Sequence, residues 1–92
     1  MMAVLEMGYT TDQRPGSAYA WFAVDRDTQA RNLVGAFQCA RQLWQPWMSL
    51  MTVIYIPEPA WTQREEQYWW SITNPDGSAR PAYTALKSFL TQ

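Results

Sequence analysis

The sequence predicts an α/β fold with parallel strands, because apolar runs and amphipathic segments alternate along the chain. Residues 2–7 (MAVLEM) and 47–56 (WMSLMTVIYI) are nearly continuous apolar runs, which is the pattern of strands covered on both faces. Each run is followed by a long irregular stretch and then by a helical pattern. The order strand, loop, helix therefore occurs twice. This order is typical of βα units, in which a helical crossover joins two strands that pair in parallel.

The first βα unit contains the clearest helical pattern in the chain. Gly8 ends the first strand, and residues 9–24 read as a long loop with at most one helical turn around residues 18–23. The helix is predicted over Asp27–Trp44, with Asp25 or Asp27 as its N-cap. Apolar residues recur in it at spacings of three and four. This predicted stripe consists of Ala30, Leu33, Val34, Phe37, Ala40 and Trp44.

The second unit begins after a short connection at Gln45-Pro46 and ends in another helix. Pro57 and Pro59 terminate the second strand, and residues 60–70 form a loop with room for a short helix. Residues 74–77 (NPDG) have the signature of a type I turn. Pro81 suits the first turn of the final helix. Its predicted apolar face consists of Tyr83, Leu86, Phe89 and Leu90.

Composition excludes several classes of function. The net charge is −1 without a basic block, so binding to nucleic acid or to an anionic membrane has no electrostatic support. No apolar run approaches the roughly 18 residues that a membrane span requires. The chain contains no His, which excludes Ser-His-Asp and Cys-His catalysis and most zinc sites. Nothing implies a metal or an organic cofactor, and any chemistry must be carried by carboxylates.

Glu6 is the leading candidate for such chemistry. A carboxylate near the carboxyl end of a buried parallel strand is costly without a purpose or a partner, and in a (β/α)8 barrel this end of the strands forms the active site. The alternatives are pairing with an arginine at the rim, or a strand that is exposed. Glu58 is expected to be a rim carboxylate, and Arg14 and Arg80 are expected to be solvated at the surface.

Aromatic residues form the second group of candidates, because the chain has six Trp and five Tyr. Such a surplus of aromatic residues is expected where a large face meets something else, whether missing protein, a partner or a flat ligand such as a sugar ring. Tyr9 follows Glu6, Tyr55 lies at the end of the second strand, and Trp61 follows in the next loop. We therefore interpret Tyr9, Tyr55 and Trp61 as candidate substrate-binding residues.

The segment Val4–Tyr9 (VLEMGY) resembles the seventh-strand motif of clan A glycoside hydrolases, the cellulase-like (β/α)8 barrels, in which a Glu followed by x-Gly is the nucleophile. Gln29-Ala30 and Ala40-Arg41 are similar to parts of the helix that follows that strand. Residues 68–86, with the sequence RPAYTAL near their end, resemble the segment that closes these enzymes. The resemblance therefore extends over nearly the whole chain.

This resemblance implies that residues 1–92 are the C-terminal fragment of a glycoside hydrolase catalytic domain, a partial TIM barrel of order β-α-β-α. Glu6 would be the nucleophile in retaining hydrolysis of a β-linked glycan or glycoside, and Tyr55 or Trp61 would form the floor of the sugar site. The acid/base of such families lies at the end of the fourth strand, which is missing here. The isolated fragment is thus expected to be inactive, and its partner to be the remaining barrel.

Two other classes of function are kept as hypotheses. The chain could be a carbohydrate-binding remnant that kept aromatic stacking and lost catalysis. It could also be a small α/β module that oligomerises through exposed sheet edges.

Overall fold

The computed structural model describes residues 2–44 and 48–91, and it shows a mixed α/β fold. The elements in chain order are β1 (Met2–Met7), α1 (Arg26–Leu43), β2 (Met48–Val53), α2 (Glu66–Trp70) and α3 (Pro81–Leu90). The predicted alternation of strands and helices is therefore confirmed. The predicted connection at Gln45-Pro46 lies outside the described residues.

The two strands pair in parallel, as predicted. Val4 is in register with Met51 and Met7 with Val53, with irregularities of register along the pair. The first strand has the predicted bounds, whereas β2 ends at Val53 rather than at residue 56. The reason is that the chain stops pairing with β1 after Ile54. The carbonyl of Tyr55 instead accepts a hydrogen bond from the backbone N–H of Ile72 (3.0 Å).

The first helix begins where a local side-chain cap allows it. The carboxylate of Asp25 accepts a hydrogen bond from the backbone N–H of Thr28 at 2.6 Å, so Asp25 and not Asp27 is the N-cap. Ala30, Leu33 and Ala40 of the predicted stripe are buried. Trp44 at the C-terminal end of the stripe is 40% exposed, so the stripe is covered only along its first four turns.

The last helix packs against α1, but with a face that differs from the predicted one. Pro81 is its first residue, as expected. Leu86 and Phe89 are buried, together with Ala82, whereas the predicted face residues Tyr83 and Leu90 are exposed. Ala82 allows the close approach of the helix, and the guanidinium of Arg41 covers the ring of Phe89 at 4.3 Å from its centroid.

The core lies between the helices and one face of the sheet. Ala30, Leu33, Ile72 and Ala82 form the buried cluster, and Met7, Tyr9, Val53 and Ala85 pack against it. In the described part of the chain the sheet has two strands, so each strand has one edge without a neighbour. The radius of gyration is 13.7 Å, compared with about 12 Å for a compact domain of this length. The fold is accordingly more open than a closed domain.

Among the helices of the described segments, none has the length and apolar character to cross a lipid bilayer.

Candidate functional site

Glu6 lies one residue before the end of β1, and it is not among the residues that pack against the helical core. Its neighbour Met7 packs against that core, and the register between β1 and β2 shifts between Val4 and Met7, the segment that contains Glu6. Glu6 is exposed, and within residues 2–44 and 48–91 its side chain makes no hydrogen bond or ion pair. The alternative prediction, an ion pair between Glu6 and an arginine at the rim, is therefore not seen among these residues. The carboxylate of Glu6 is accessible to an approaching molecule.

Gly8 brings the carboxyl ends of the two strands into close contact. A Cβ atom at Gly8 would lie 2.8 Å from Cγ1 of Ile54 and 2.9 Å from its carbonyl oxygen, distances that real Cβ atoms do not show. The backbone N–H of Ile54 also donates to the carbonyl of Met7 at 2.9 Å. Because only glycine fits, the chain that follows Glu6 runs beside the chain that precedes Tyr55.

Tyr55 and Trp61, between which the sequence left the choice open, form a pair. Their ring centroids are 5.9 Å apart and the ring planes meet at 87°, an edge-to-face arrangement. Both residues are half-buried. Tyr9 is also half-buried, but it packs against the helical core. The structure therefore brings Tyr55 and Trp61 together after β2 and places Tyr9 partly within the hydrophobic packing.

Asp12 organises the loop after β1, although it was not among the functional residues predicted from the sequence. Both carboxylate oxygens of Asp12 accept hydrogen bonds from Arg14, at 2.8 Å from Nε and 3.0 Å from Nη2, and Ser17 Oγ donates at 2.9 Å. These bonds, that of Arg14 foremost, lower the pKa of Asp12 to about 2 although burial opposes the shift. Arg14 is half-exposed, and it lies over the ring of Trp69 at 4.5 Å. It is thus a paired residue rather than a freely solvated one.

Arg80 is buried, contrary to the expectation of a solvated side chain. It is 1% exposed, its Nη1 donates to the carbonyls of Tyr68 (2.7 Å) and Ser71 (3.0 Å), and its Nε donates to Oδ1 of Asn74 (3.0 Å). Burial, and secondarily the charge of Arg26, lower the pKa of Arg80. The burial of Arg80 was not predictable from the sequence, because most of its acceptors are backbone carbonyls.

Gln29 joins the loops that follow the two strands. It is fully buried in α1, and its Nε2 donates to the carbonyls of Tyr9 (3.0 Å) and Trp70 (3.2 Å), with a longer contact to Ser71 (3.5 Å). Tyr9 begins the first loop, and Trp70 ends α2 in the second. One side chain therefore fixes both βα loops relative to α1. The sequence signal that could have indicated this role is the position of Gln29 beside the apolar stripe of α1.

Three further glutamates lie between β2 and α3. Glu65 accepts hydrogen bonds from the backbone N–H (2.6 Å) and the hydroxyl (2.9 Å) of Thr62, which lower the pKa of Glu65. Glu66 accepts from the hydroxyl of Tyr19 at 3.3 Å, and Glu58 is exposed. Across the described residues there is no group of three or more His, Cys, Asp or Glu side chains that could hold a metal ion.

The arrangement that emerges is an open carboxylate at the end of a parallel strand, with an aromatic pair after the neighbouring strand. A carboxylate can act as a nucleophile or as a general base, and aromatic rings can stack on a sugar. Comparison of the chain with known protein families, with curated proteins and with solved structures gives no match.

Proposed function

We propose that this chain supplies the last two βα units of a (β/α)8 barrel that hydrolyses β-linked glycans with retention of configuration, and that Glu6 is its nucleophile. The observation that carries the proposal is the position of Glu6. It lies near the carboxyl end of a parallel strand, exposed and without a side-chain partner among the described residues.

The two faces of the sheet support this proposal. In a (β/α)8 barrel the helices cover the outer face of the strands, and active sites form at the carboxyl ends of the strands. Here the helical core packs against Met7, whereas Glu6 beside it is exposed, and a residue of a closed barrel that the helices leave uncovered would face the interior side. The unpaired edges of β1 and β2 are where further parallel strands would add. The partner proposed for this chain is accordingly the rest of the barrel.

The chemistry follows from the two-carboxylate mechanism of retaining glycosidases. An oxygen of Glu6 would attack the anomeric carbon and form a glycosyl ester while the glycosidic C–O bond breaks. A second carboxyl group roughly 5 Å away would protonate the leaving oxygen, and as a base it would later activate the water that hydrolyses the ester. This second group would come from the remaining barrel units. The pair of Tyr55 and Trp61 would form the aromatic floor beneath the sugar.

Covalent trapping tests the assignment of the nucleophile. The chain, assembled with the remaining barrel units, is incubated with 2-deoxy-2-fluoro β-glycosyl fluorides of gluco, manno and xylo configuration, and its peptides are analysed by mass spectrometry. We expect one of these sugars to be added to the peptide that contains Glu6. The Glu6→Gln variant should not be labelled, whereas the matched control Glu58→Gln should be labelled at the rate of the unmodified protein. Labelling of a different carboxylate in an active protein would refute the role of Glu6.

A second candidate function is carbohydrate binding without hydrolysis. The edge-to-face pair of Tyr55 and Trp61 favours it, because stacking on a sugar needs no carboxylate. Calorimetric titration with β-linked oligosaccharides separates the two functions. Binding by an assembled protein that neither releases sugar nor becomes labelled at Glu6 would select this alternative.

The open sheet edges also favour a third function, self-association of the chain as a structural module. Light scattering on the purified chain tests it. A discrete oligomer that shows no affinity for oligosaccharides would support the structural module.

A further inference from the structure

We infer that Gln29 is a positioning residue for the proposed nucleophile. Its side chain closes a ring of hydrogen bonds that joins the chain after Glu6 to the chain that carries Tyr55, so it sets the spacing between the carboxylate and the aromatic pair. The inference rests on the proposed function, to which it adds the residue that holds the nucleophile and the sugar floor in position relative to each other.

The ring consists of three short segments of main chain and one side chain. The first segment directly follows Glu6, the second directly follows β2, and the third starts at the last residue of α2. These segments are residues 7–9, residues 54–55 and residues 70–72. Each covers at most three residues, so a hydrogen bond at one end of a segment restrains its other end as well.

Two bonds of the ring are made by the main chain alone. The N–H of Ile54 donates to the carbonyl of Met7 at 2.9 Å, which joins the second segment to the first. The N–H of Ile72 donates to the carbonyl of Tyr55 at 3.0 Å, which joins the second segment to the third. The third segment is held in addition by the N–H of Arg80, which donates to the carbonyl of Ile72 at 3.2 Å. The main chain at Tyr55 is therefore restrained from both sides.

Gln29 makes the remaining connection, between the first segment and the third. Its Nε2 donates to the carbonyl of Tyr9 at 3.0 Å and to the carbonyl of Trp70 at 3.2 Å. The amide has two N–H groups, one for each of these carbonyls, whereas its Oε1 has no hydrogen-bond partner among the described residues. The contribution of Gln29 thus lies in its donor end. Since the other bonds of the ring belong to main-chain atoms, Gln29 is the link that a substitution removes.

The interior of the ring is close-packed around Gly8. A Cβ at Gly8 would lie 2.9 Å from the carbonyl oxygen of Ile54, in the second segment, and 3.4 Å from the ring of Trp70, in the third. Because all three segments meet at this point, a shift of one segment displaces the others instead of being taken up by empty space.

These contacts are internal to the chain. Gln29 is 0% exposed, and its hydrogen-bond acceptors belong to the same chain. Barrel units that add at the edges of β1 and β2 cover surface that is now open, and Gln29 has no such surface. The ring is therefore expected to be the same in the assembled protein.

The expected effect is on the reaction step more than on binding. Attack on the anomeric carbon requires the reacting atoms at the correct distance and angle, and a misplacement of about 1 Å costs about 100-fold in rate. Without the donor of Gln29, the carbonyls of Tyr9 and Trp70 lose the group that holds them together. Glu6 can then shift relative to the floor on which the sugar lies, while the floor itself still binds the sugar.

Labelling kinetics of the assembled protein test the inference. The unmodified protein and its Gln29→Leu variant are treated with a 2-deoxy-2-fluoro β-glycosyl fluoride over a range of concentrations. This separates the first-order rate constant of labelling from the dissociation constant of the reagent. We expect Gln29→Leu to lower the rate constant about 10- to 100-fold and to change the dissociation constant by less than about threefold. An unchanged rate constant would overturn the inference.

The Gln29→Glu variant adds a pH signature. A neutral carboxyl group at this position can donate its O–H to a carbonyl, whereas a carboxylate would repel both carbonyls. Burial raises the pKa of a carboxyl group, so the neutral form becomes more populated as the pH falls from about 8 to about 5. The labelling rate of Gln29→Glu, divided by that of the unmodified protein at the same pH, should rise over this range. A constant ratio would refute the role of the donor.

Two controls separate positioning from stability, with all assays below the unfolding temperature of every variant. Gln38→Leu makes the same change at an exposed position of α1. Phe89→Ala removes a buried ring beside Arg41, about three helical turns from Gln29, and destabilises the chain without touching the ring of hydrogen bonds. Both should retain the rate constant. Equal slowing by Phe89→Ala and Gln29→Leu would overturn the inference, because loss of stability alone would then lower the rate.

Absence of labelling at Glu6 in the unmodified protein would refute the proposed function instead. Amide hydrogen exchange, measured by NMR on the chain, then decides on the ring. Gln29→Leu should speed exchange at the N–H groups of Ile54 and Ile72, which Gln29 does not itself contact, more than at the N–H groups of α3. Phe89→Ala should have the larger effect in α3. The same ratio of effects in both variants would refute the ring.

Discussion

Replacing Gly8 with alanine tests whether the close contact between the strand ends holds the candidate site together. The added Cβ would lie 2.8 Å from Cγ1 and 2.9 Å from the carbonyl oxygen of Ile54, and 3.4 Å from the ring of Trp70. The Ile54 carbonyl oxygen is a backbone atom, so it cannot move away without shifting the chain directly after β2. The substitution therefore acts through space rather than through backbone conformation.

The expected cost follows from the overpacking that such a shift entails. Inserting a methyl group into a close-packed region costs about 1–3 kcal/mol. In a domain of this size each kcal/mol lowers the melting temperature by about 4–8 °C. We therefore expect Gly8→Ala to lower the free energy of unfolding by about 1–3 kcal/mol, measured by urea unfolding followed by circular dichroism at 222 nm.

Gly35→Ala is the matched control, because it makes the same chemical change in the interior of α1. A Cβ at Gly35 would meet no atom within 4 Å, and alanine is a better helix former than glycine by about 1 kcal/mol. The control should stabilise the chain where Gly8→Ala destabilises it. Equal effects of the two substitutions would refute the argument that the Gly8–Ile54 contact limits the size of residue 8.

Substitutions at three further positions test the polar contacts of the loops. Asp12→Asn should lower the free energy of unfolding at neutral pH by about 1–2 kcal/mol, after allowance for solvent screening at half-exposed Arg14. Because the pKa of Asp12 is depressed to about 2, this stabilisation is present above about pH 4 and lost as the pH falls towards 2. Urea unfolding across this range should show the variant and the unmodified chain converge, and a difference that stays constant down to pH 2 would refute the role of the Asp12 carboxylate. Arg80→Met should cost about 2–3 kcal/mol, since it leaves buried carbonyls without donors, and Arg80→Lys should cost less; thermal melts that rank them oppositely would refute this. Gln29→Leu should cost about 1–3 kcal/mol and speed amide hydrogen exchange at the ends of both βα loops, and unchanged exchange would contradict the joining role of Gln29.

Elements with local signals were predictable from the sequence. Asp25 caps α1 through a bond to a residue three positions away, and Pro81 begins α3. The turn at residues 74–77 closes with a hydrogen bond from the N–H of Gly77 to the carbonyl of Asn74 at 2.8 Å. Each of these features is decided within a few residues, so the pattern of side chains contains the information. The parallel pairing of β1 and β2 followed from the alternation of the elements.

Features that depend on distant backbone groups were not predictable. Gln29 can be buried since its amide N–H groups find carbonyls more than 40 residues further along the chain. Arg80 can be buried since its guanidinium also donates to two backbone carbonyls. Every residue has a carbonyl, so the sequence does not distinguish the ones that will be used. The position of Glu6 on β1 followed from the apolar run, while its role as nucleophile stays a prediction.

The contacts of Arg80 have a consequence for how this part of the chain can vary. Tyr68 and Ser71 offer it their main-chain oxygens, which are present whatever side chains stand at those positions. The anchor therefore constrains residue 80 tightly and leaves position 71 free, as far as this interaction is concerned, to accept other amino acids, whereas at position 68 the guanidinium also lies over the tyrosine ring at 4.5 Å from its centroid. In a library of random variants, we expect substitutions to be depleted at position 80, aromatic residues to be favoured at position 68, and other residues to be tolerated at position 71 wherever packing allows.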